Sequence, residues 1–131
     1  MMVIVHSIAE GRPLRLLRLR DAAEAALNTG PGEAWIEGTA DLARDMVQGG
    51  LVVPRPDVPP LPAGGPAPFA VPLDGLPSGS AVRVQNEEGE ALEITDMTEP
   101  LTLIDAGVYL VEVSPPWPWL PVAADVEVSD A

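Results

Sequence analysis

Lysine and cysteine are both absent from this chain, and histidine occurs once, as His6. Without cysteine there is no disulfide framework, no thiol nucleophile and no Cys-ligated zinc site. A single histidine excludes a multi-His metal centre. Cations of any kind are scarce: seven arginines stand against 20 carboxylates, for a formal net charge of −13. That balance argues against a dedicated nucleic-acid module, which needs a basic face to displace counterions. No apolar run approaches the roughly 18 residues of a membrane-spanning helix, so no membrane insertion is expected. The opening MMVIVHSIAEGR lacks a basic start and a long apolar core, and is not expected to act as a secretory signal.

Apolar residues and proline are abundant. Hydrophobic residues make up 47% of the chain, too many for a disordered acidic tail. A length of 131 residues fits one average domain or two small ones. The charge divides the chain: residues 1–55 hold six arginines against seven carboxylates, whereas residues 56–131 hold only Arg83 against 13. The step coincides with Pro54, Pro56, Pro59, Pro60, Pro62, Pro66 and Pro68, seven prolines in fifteen residues. Proline has no N–H to give and fixes its own φ, so this stretch is expected to run as a polyproline II spacer with Gly64-Gly65 as its soft joint. The alternative is a long proline loop packed over one fused domain. On the first reading the domains are a small α+β docking lobe at 1–53, a Pro-rich linker at 54–68 and a β lobe at 69–131. Lobes of this size bury marginal cores, and oligomerisation often completes them.

In the N-terminal lobe Val3-Ile4-Val5 is a β-branched run closed by the turn signal Glu10-Gly11. PLRLLRLR, from Pro13 to Arg20, fits a strand with a bulge at Leu16-Leu17 or a helix with a leucine stripe; the strand, paired with residues 2–7 as a hairpin, is preferred. Asp21 with Glu24 predicts a helix N-terminus over the alanine-rich residues that follow, ended at Asn28-Thr29-Gly30-Pro31-Gly32. Ala34-Trp35-Ile36 reads as a short strand. Gly49-Gly50 predicts a two-residue hairpin between Asp45–Gln48 and Leu51–Val53. In the C-terminal lobe six short strands are expected, at 69–71, 81–85, 91–94, 101–104, 108–113 and 125–129. Their spacing suggests a β-sandwich resembling the immunoglobulin class, without its Cys…Trp…Cys hallmark. The fold class expected is therefore mainly β.

The order ALNTGPGEAWIEGTAD, DMVQGGLVVPRP, an LPSG-led strand, AGVYLVEV and PPWPWLP with a final strand covers most of the chain. It resembles small structural proteins encoded among the tail genes of tailed bacteriophages. In that family a small N-terminal unit ends in a valine hairpin around paired glycines, and a G-x-Y-x-V-x-V strand precedes a proline-aromatic corner. Where the family has an aromatic before the hairpin valine, this chain has Met46. The resemblance implies a tail-fibre or baseplate-region role in a virion or gene-transfer-agent-like particle, with synthesis in the bacterial host cytoplasm. The implied partners are other virion tail proteins and further copies of the chain in a homo-oligomer such as a trimer. It transfers no catalytic residue.

Candidate sites follow from the rarer residue types. Trp117, Trp119 and Tyr109 are candidates for a glycan-stacking platform against a host surface, or for packing and subunit contact, which aromatics also favour. Arg15, Arg18 and Arg20, with Trp35, are candidates for docking; together with Arg12 they form the one positive stripe. That stripe fits the acidic face of another copy or neighbour better than nucleic acid. Glu87, Glu88, Glu90, Glu93, Asp96 and Glu99 lack the spacing of a calcium loop and read as a solvated face. His6 reads as a structural histidine. Ser7, Ser78 and Ser80 have no G-x-S-x-G context, and no pair of carboxylates stands out for acid–base work. No cofactor and no enzymatic activity is expected. The alternatives to a structural tail component are a host-glycan receptor module and a tail-fibre assembly chaperone absent from the finished particle.

Overall fold

A computed structural model describes residues 1–131. The chain is mainly β, 47% strand against 5% helix, and divides into two compact units, Met1–Pro56 and Asp57–Ala131.

In the first unit β1 (Met2–Ser7), β2 (Pro13–Arg18) and β3 (Glu33–Glu37) form a sheet in the order β2-β1-β3, antiparallel throughout. The expected hairpin is present, but its irregularity falls at Val5/His6, opposite Pro13, rather than at Leu16-Leu17. A proline cannot donate to the ladder, so the register slips where Pro13 enters. The doubled leucine has another cause. Val3, Ile4 and Val5 are all fully buried, so β1 is covered on both faces. Leu16 sits opposite Ile4 and Leu17 opposite Val3, one leucine to each face.

Helix α1 (Ala22–Leu27) starts as the sequence predicts: the Asp21 carboxylate accepts the Glu24 N–H at 3.0 Å, and the Glu24 carboxylate accepts the Arg20 N–H at 2.9 Å. It buries Ala25 against Val3 and Val5, with Leu17, Leu19 and Trp35 around them. β4 (Asp45–Gln48) and β5 (Leu51–Pro54) form the expected hairpin, and Gly49 and Gly50 both take positive φ (60° and 76°). Two consecutive positive φ values are what a type I′ turn demands.

The second unit holds β6 (Gly64–Pro66), β7 (Phe69–Val71), β8 (Ala81–Gln85), β9 (Ala91–Ile94), β10 (Leu101–Leu103), β11 (Gly107–Ser114) and β12 (Val122–Ser129). Five strands form one sheet in the order β6-β12-β11-β8-β9, and β10 pairs with β7 in a second. Alternation directs Val82, Val84, Val111, Val113, Val126 and Val128 to one face of the larger sheet. They share one buried cluster with Val71, Leu73, Leu101 and Leu103. Ser80, the buried polar residue of this unit, donates its hydroxyl to the Pro77 carbonyl at 2.6 Å.

The expectation of a free spacer over residues 54–68 is corrected here. Pro54 closes β5, Val58 is buried, Asp57 makes a parallel bridge to Leu120, and Gly64–Pro66 run parallel to β12. Proline's missing N–H is circumvented by using the residues between the prolines: the Glu127 N–H donates to the Ala63 carbonyl and the Ala67 N–H to the Ser129 carbonyl, both at 2.9 Å. Gly64, at φ +139°, lies so close to β12 that a Cβ would run into the backbone of Glu127. The paired glycines permit close backbone approach and are not a joint.

Candidate functional site

The aromatic candidates separate. Tyr109 lies near the start of β11, packs against the core and donates its hydroxyl to the Asp105 carbonyl at 2.8 Å. Burial and the nearby carboxylates of Asp105, Glu88 and Glu87 raise its pKa. Trp117 and Trp119 follow the far end of the same strand. Five residues of extended chain, about 17 Å, separate Tyr109 from Ser114, so the three rings do not form one platform. The two tryptophans stay together in a half-buried turn, in which the Trp119 N–H donates to the Pro116 carbonyl at 3.0 Å. Pro115, Pro116, Pro118 and Pro121 restrict this corner, and the bridge from Leu120 to Asp57 fastens it to the start of the unit.

The arginine candidates divide in another way. Arg15 reaches Glu33 at 2.7 Å and also donates to the Asn28 carbonyl. With a second bond from the Gly30 N–H, this holds the Glu33 carboxyl down at about 2, and Arg15 is raised in turn. Arg20 pairs with Glu24 at 2.7 Å. Both are committed within the unit. Arg18 is exposed at the end of β2, and β2 is an edge strand. Trp35 is half-buried against Val3, Val5 and Ala25, where it acts as packing for the sheet.

Two carboxylates of the acidic run 87–99 are held by backbone N–H groups, one on β11 and one within the run. The Glu87 carboxylate accepts the Val108 N–H at 2.6 Å, and Asp96 accepts both the N–H and hydroxyl of Thr98, which lowers its pKa. His6 is half-buried, with Nδ1 3.1 Å from the Ser7 carbonyl. No three His, Asp or Glu side chains converge at metal-binding range. A depression of about 530 Å³ is an open trough bordered by Gly64, Gly65, Gly107, Val108 and Glu127. Its floor is glycine backbone, with no set of side chains converging on a reacting atom. No helix is long and apolar enough to cross a membrane.

Sequence reasoning missed the two features with most bearing on binding. One is the pairing of β6 with β12; the glycines between prolines were its signal. The other is Leu92, which points to the inner face of β9 yet is 60% exposed. Nothing local to Leu92 signals that, because the cause is the width of the opposite sheet.

No protein-family model, curated protein or solved structure matches this chain.

Proposed function

We propose that the chain is a non-enzymatic structural component of a phage-like virion tail, in the tail-fibre or baseplate region. The N-terminal unit docks onto a larger assembly, and the C-terminal unit, read as an immunoglobulin-like sandwich, faces outward. One observation carries this reading: both units leave large apolar side chains uncovered, with Ile8 at 65% exposure, Leu51 at 67% and Ile104 at 72%. Single exposed leucines are ordinary, but units of this size usually finish their burial on a neighbour. The tail-protein resemblance and the concentration of negative charge in one unit support the same reading. Quantitative mass spectrometry of purified particles tests it. A fixed copy number per particle is expected; absence from finished particles, with presence during maturation, would make the chain an assembly chaperone instead.

A second reading, host-glycan binding, is favoured by the pairing of Trp117 and Trp119 in one proline-restricted turn. Replacing both with alanine should abolish adsorption while particles still assemble. Failure of assembly would make them packing residues.

A further inference from the structure

Three loops of the second unit leave its larger sheet at the same end. Ser114, the last residue of β11, lies opposite Ala81, the first of β8, and Val82 lies opposite Ile94, the last of β9. Val113 lies opposite Val122, where β12 begins. Loops 72–80, 95–100 and 115–121 are therefore gathered at this end, and loops 86–90 and 104–106 at the other. Trp117 and Trp119 stand in the third of the gathered loops, and each is partly exposed.

The three loops are held in place by the unit itself. Leu73 is buried and Leu76 and Met97 pack on the core, which anchors the first two loops by their apolar members. The Ser80 hydroxyl bonds the Pro77 carbonyl, and the Asp96 carboxylate takes two bonds from Thr98. In the third loop Leu120 is bridged to Asp57. Gly79 brings the first loop up to the third: a Cβ there would stand 3.8 Å from the Pro116 ring. Seven prolines in these 22 residues remove further backbone freedom. A ligand that meets loops already ordered loses little affinity to ordering them.

Residue chemistry defines the ligand. Aromatic faces match the C–H faces of sugar rings. On the two companion loops Asp74, Ser78, Asp96 and Thr98 are exposed, and their oxygens suit sugar hydroxyls. None of the three loops contains an arginine, and Arg83, the one cation of the unit, bonds Gln85 and Glu112 on the sheet. A ligand carboxylate or phosphate would meet Asp74 and Asp96 with no counter-charge, which selects against acidic sugars.

We propose that this loop end binds an uncharged glycan, stacked on Trp117 and Trp119 and hydrogen-bonded by loops 72–80 and 95–100. The inference rests on the host-glycan reading and adds to it the class of sugar and the two loops that complete the site.

A printed array of bacterial surface oligosaccharides tests it, with uncharged sugars in one arm and sugars bearing uronic acid, sialic acid or phosphate in the other. The full chain should bind in the uncharged arm alone, and calorimetry on the bound oligosaccharide then measures the variants. Trp117→Ala and Trp119→Ala should each weaken binding about tenfold or more. Asp74→Ala with Ser78→Ala should weaken it about tenfold through the lost hydrogen bonds. Circular dichroism checks that each variant is folded. Equal binding in the acidic arm would overturn the class of sugar and leave the glycan reading standing. An affinity that the loop 72–80 variant or the tryptophan variants leave unchanged would overturn the site. Binding in neither arm would overturn both the site and the glycan reading. If the uncharged sugar binds as described but particles carrying both tryptophan replacements still adsorb, the site stands and its role in host attachment falls.

Discussion

The two units solve the same problem of small size in different ways. The C-terminal unit gathers ten buried residues, nine of them from its two sheets, into one cluster and has Arg83 as its one cation, paired with Glu112 at 3.5 Å. The N-terminal unit buries far less around its helix, chiefly Val3, Val5 and Ala25. It ties its elements together with the Arg15–Glu33 bridge, the Arg20–Glu24 pair and the reciprocal cap of α1. Exposed ion pairs contribute at most about 1 kcal/mol each, whereas a fully buried aliphatic side chain contributes about 1.5–3 kcal/mol. The N-terminal unit is therefore expected to be the less stable of the two, and the more sensitive to pH.

Trp35 reports on the first unit and Trp117 and Trp119 on the second, so fluorescence of single-region tryptophan variants can follow each separately. The largest effect is expected from emptying a core position. Ile4→Ala and Leu73→Ala should each cost about 2–5 kcal/mol, because both side chains are buried almost completely. Ile4→Ala should leave the N-terminal unit largely unfolded, and Leu73→Ala should shift only the C-terminal transition. If both signals move together in either variant, the units are one cooperative body and the comparison fails.

Gly64→Ala comes next, at about 2–3 kcal/mol, from a side chain forced into an unfavourable φ and against the backbone of Glu127. Urea unfolding followed at Trp117 and Trp119 should show the loss, with Trp35 unaffected. An unchanged midpoint would mean that the β6–β12 pairing adds nothing to stability. Asp21→Ala should cost about 1 kcal/mol through the lost helix cap, seen only at Trp35.

The smallest effect is expected from acid. The Glu33 carboxyl is depressed in the folded state, so its stabilisation is complete above pH 4.5 and disappears as the pH falls to about 2. The N-terminal transition should weaken across that window, and Glu33→Gln should flatten the dependence. A C-terminal transition that weakens equally would remove the contrast.

Several elements were legible because their causes are local. The N-cap of α1 needs only Asp21 and Glu24; the β4–β5 turn needs only two glycines; strands β8 to β12 of the second unit announce themselves by alternation. The candidate sites were less legible. Trp117 and Trp119 belong together because only Pro118, within a turn, separates them. Tyr109 was grouped with them by residue type, and the length of β11 sets it apart. Arg15 and Arg20 look like a free stripe in the sequence, but Glu33 and Glu24 engage them once the strands and the helix are in place.

The sequence by itself determined the β character of this protein, its uneven charge and its turns, since propensity, alternation and glycine or proline stereochemistry act within a few residues. The tertiary structure alone decided that the proline run lies along β12 and that Leu92 is left uncovered. Both outcomes depend on which distant backbone stands alongside and how wide the facing sheet is, and neither quantity is encoded at the residues it affects.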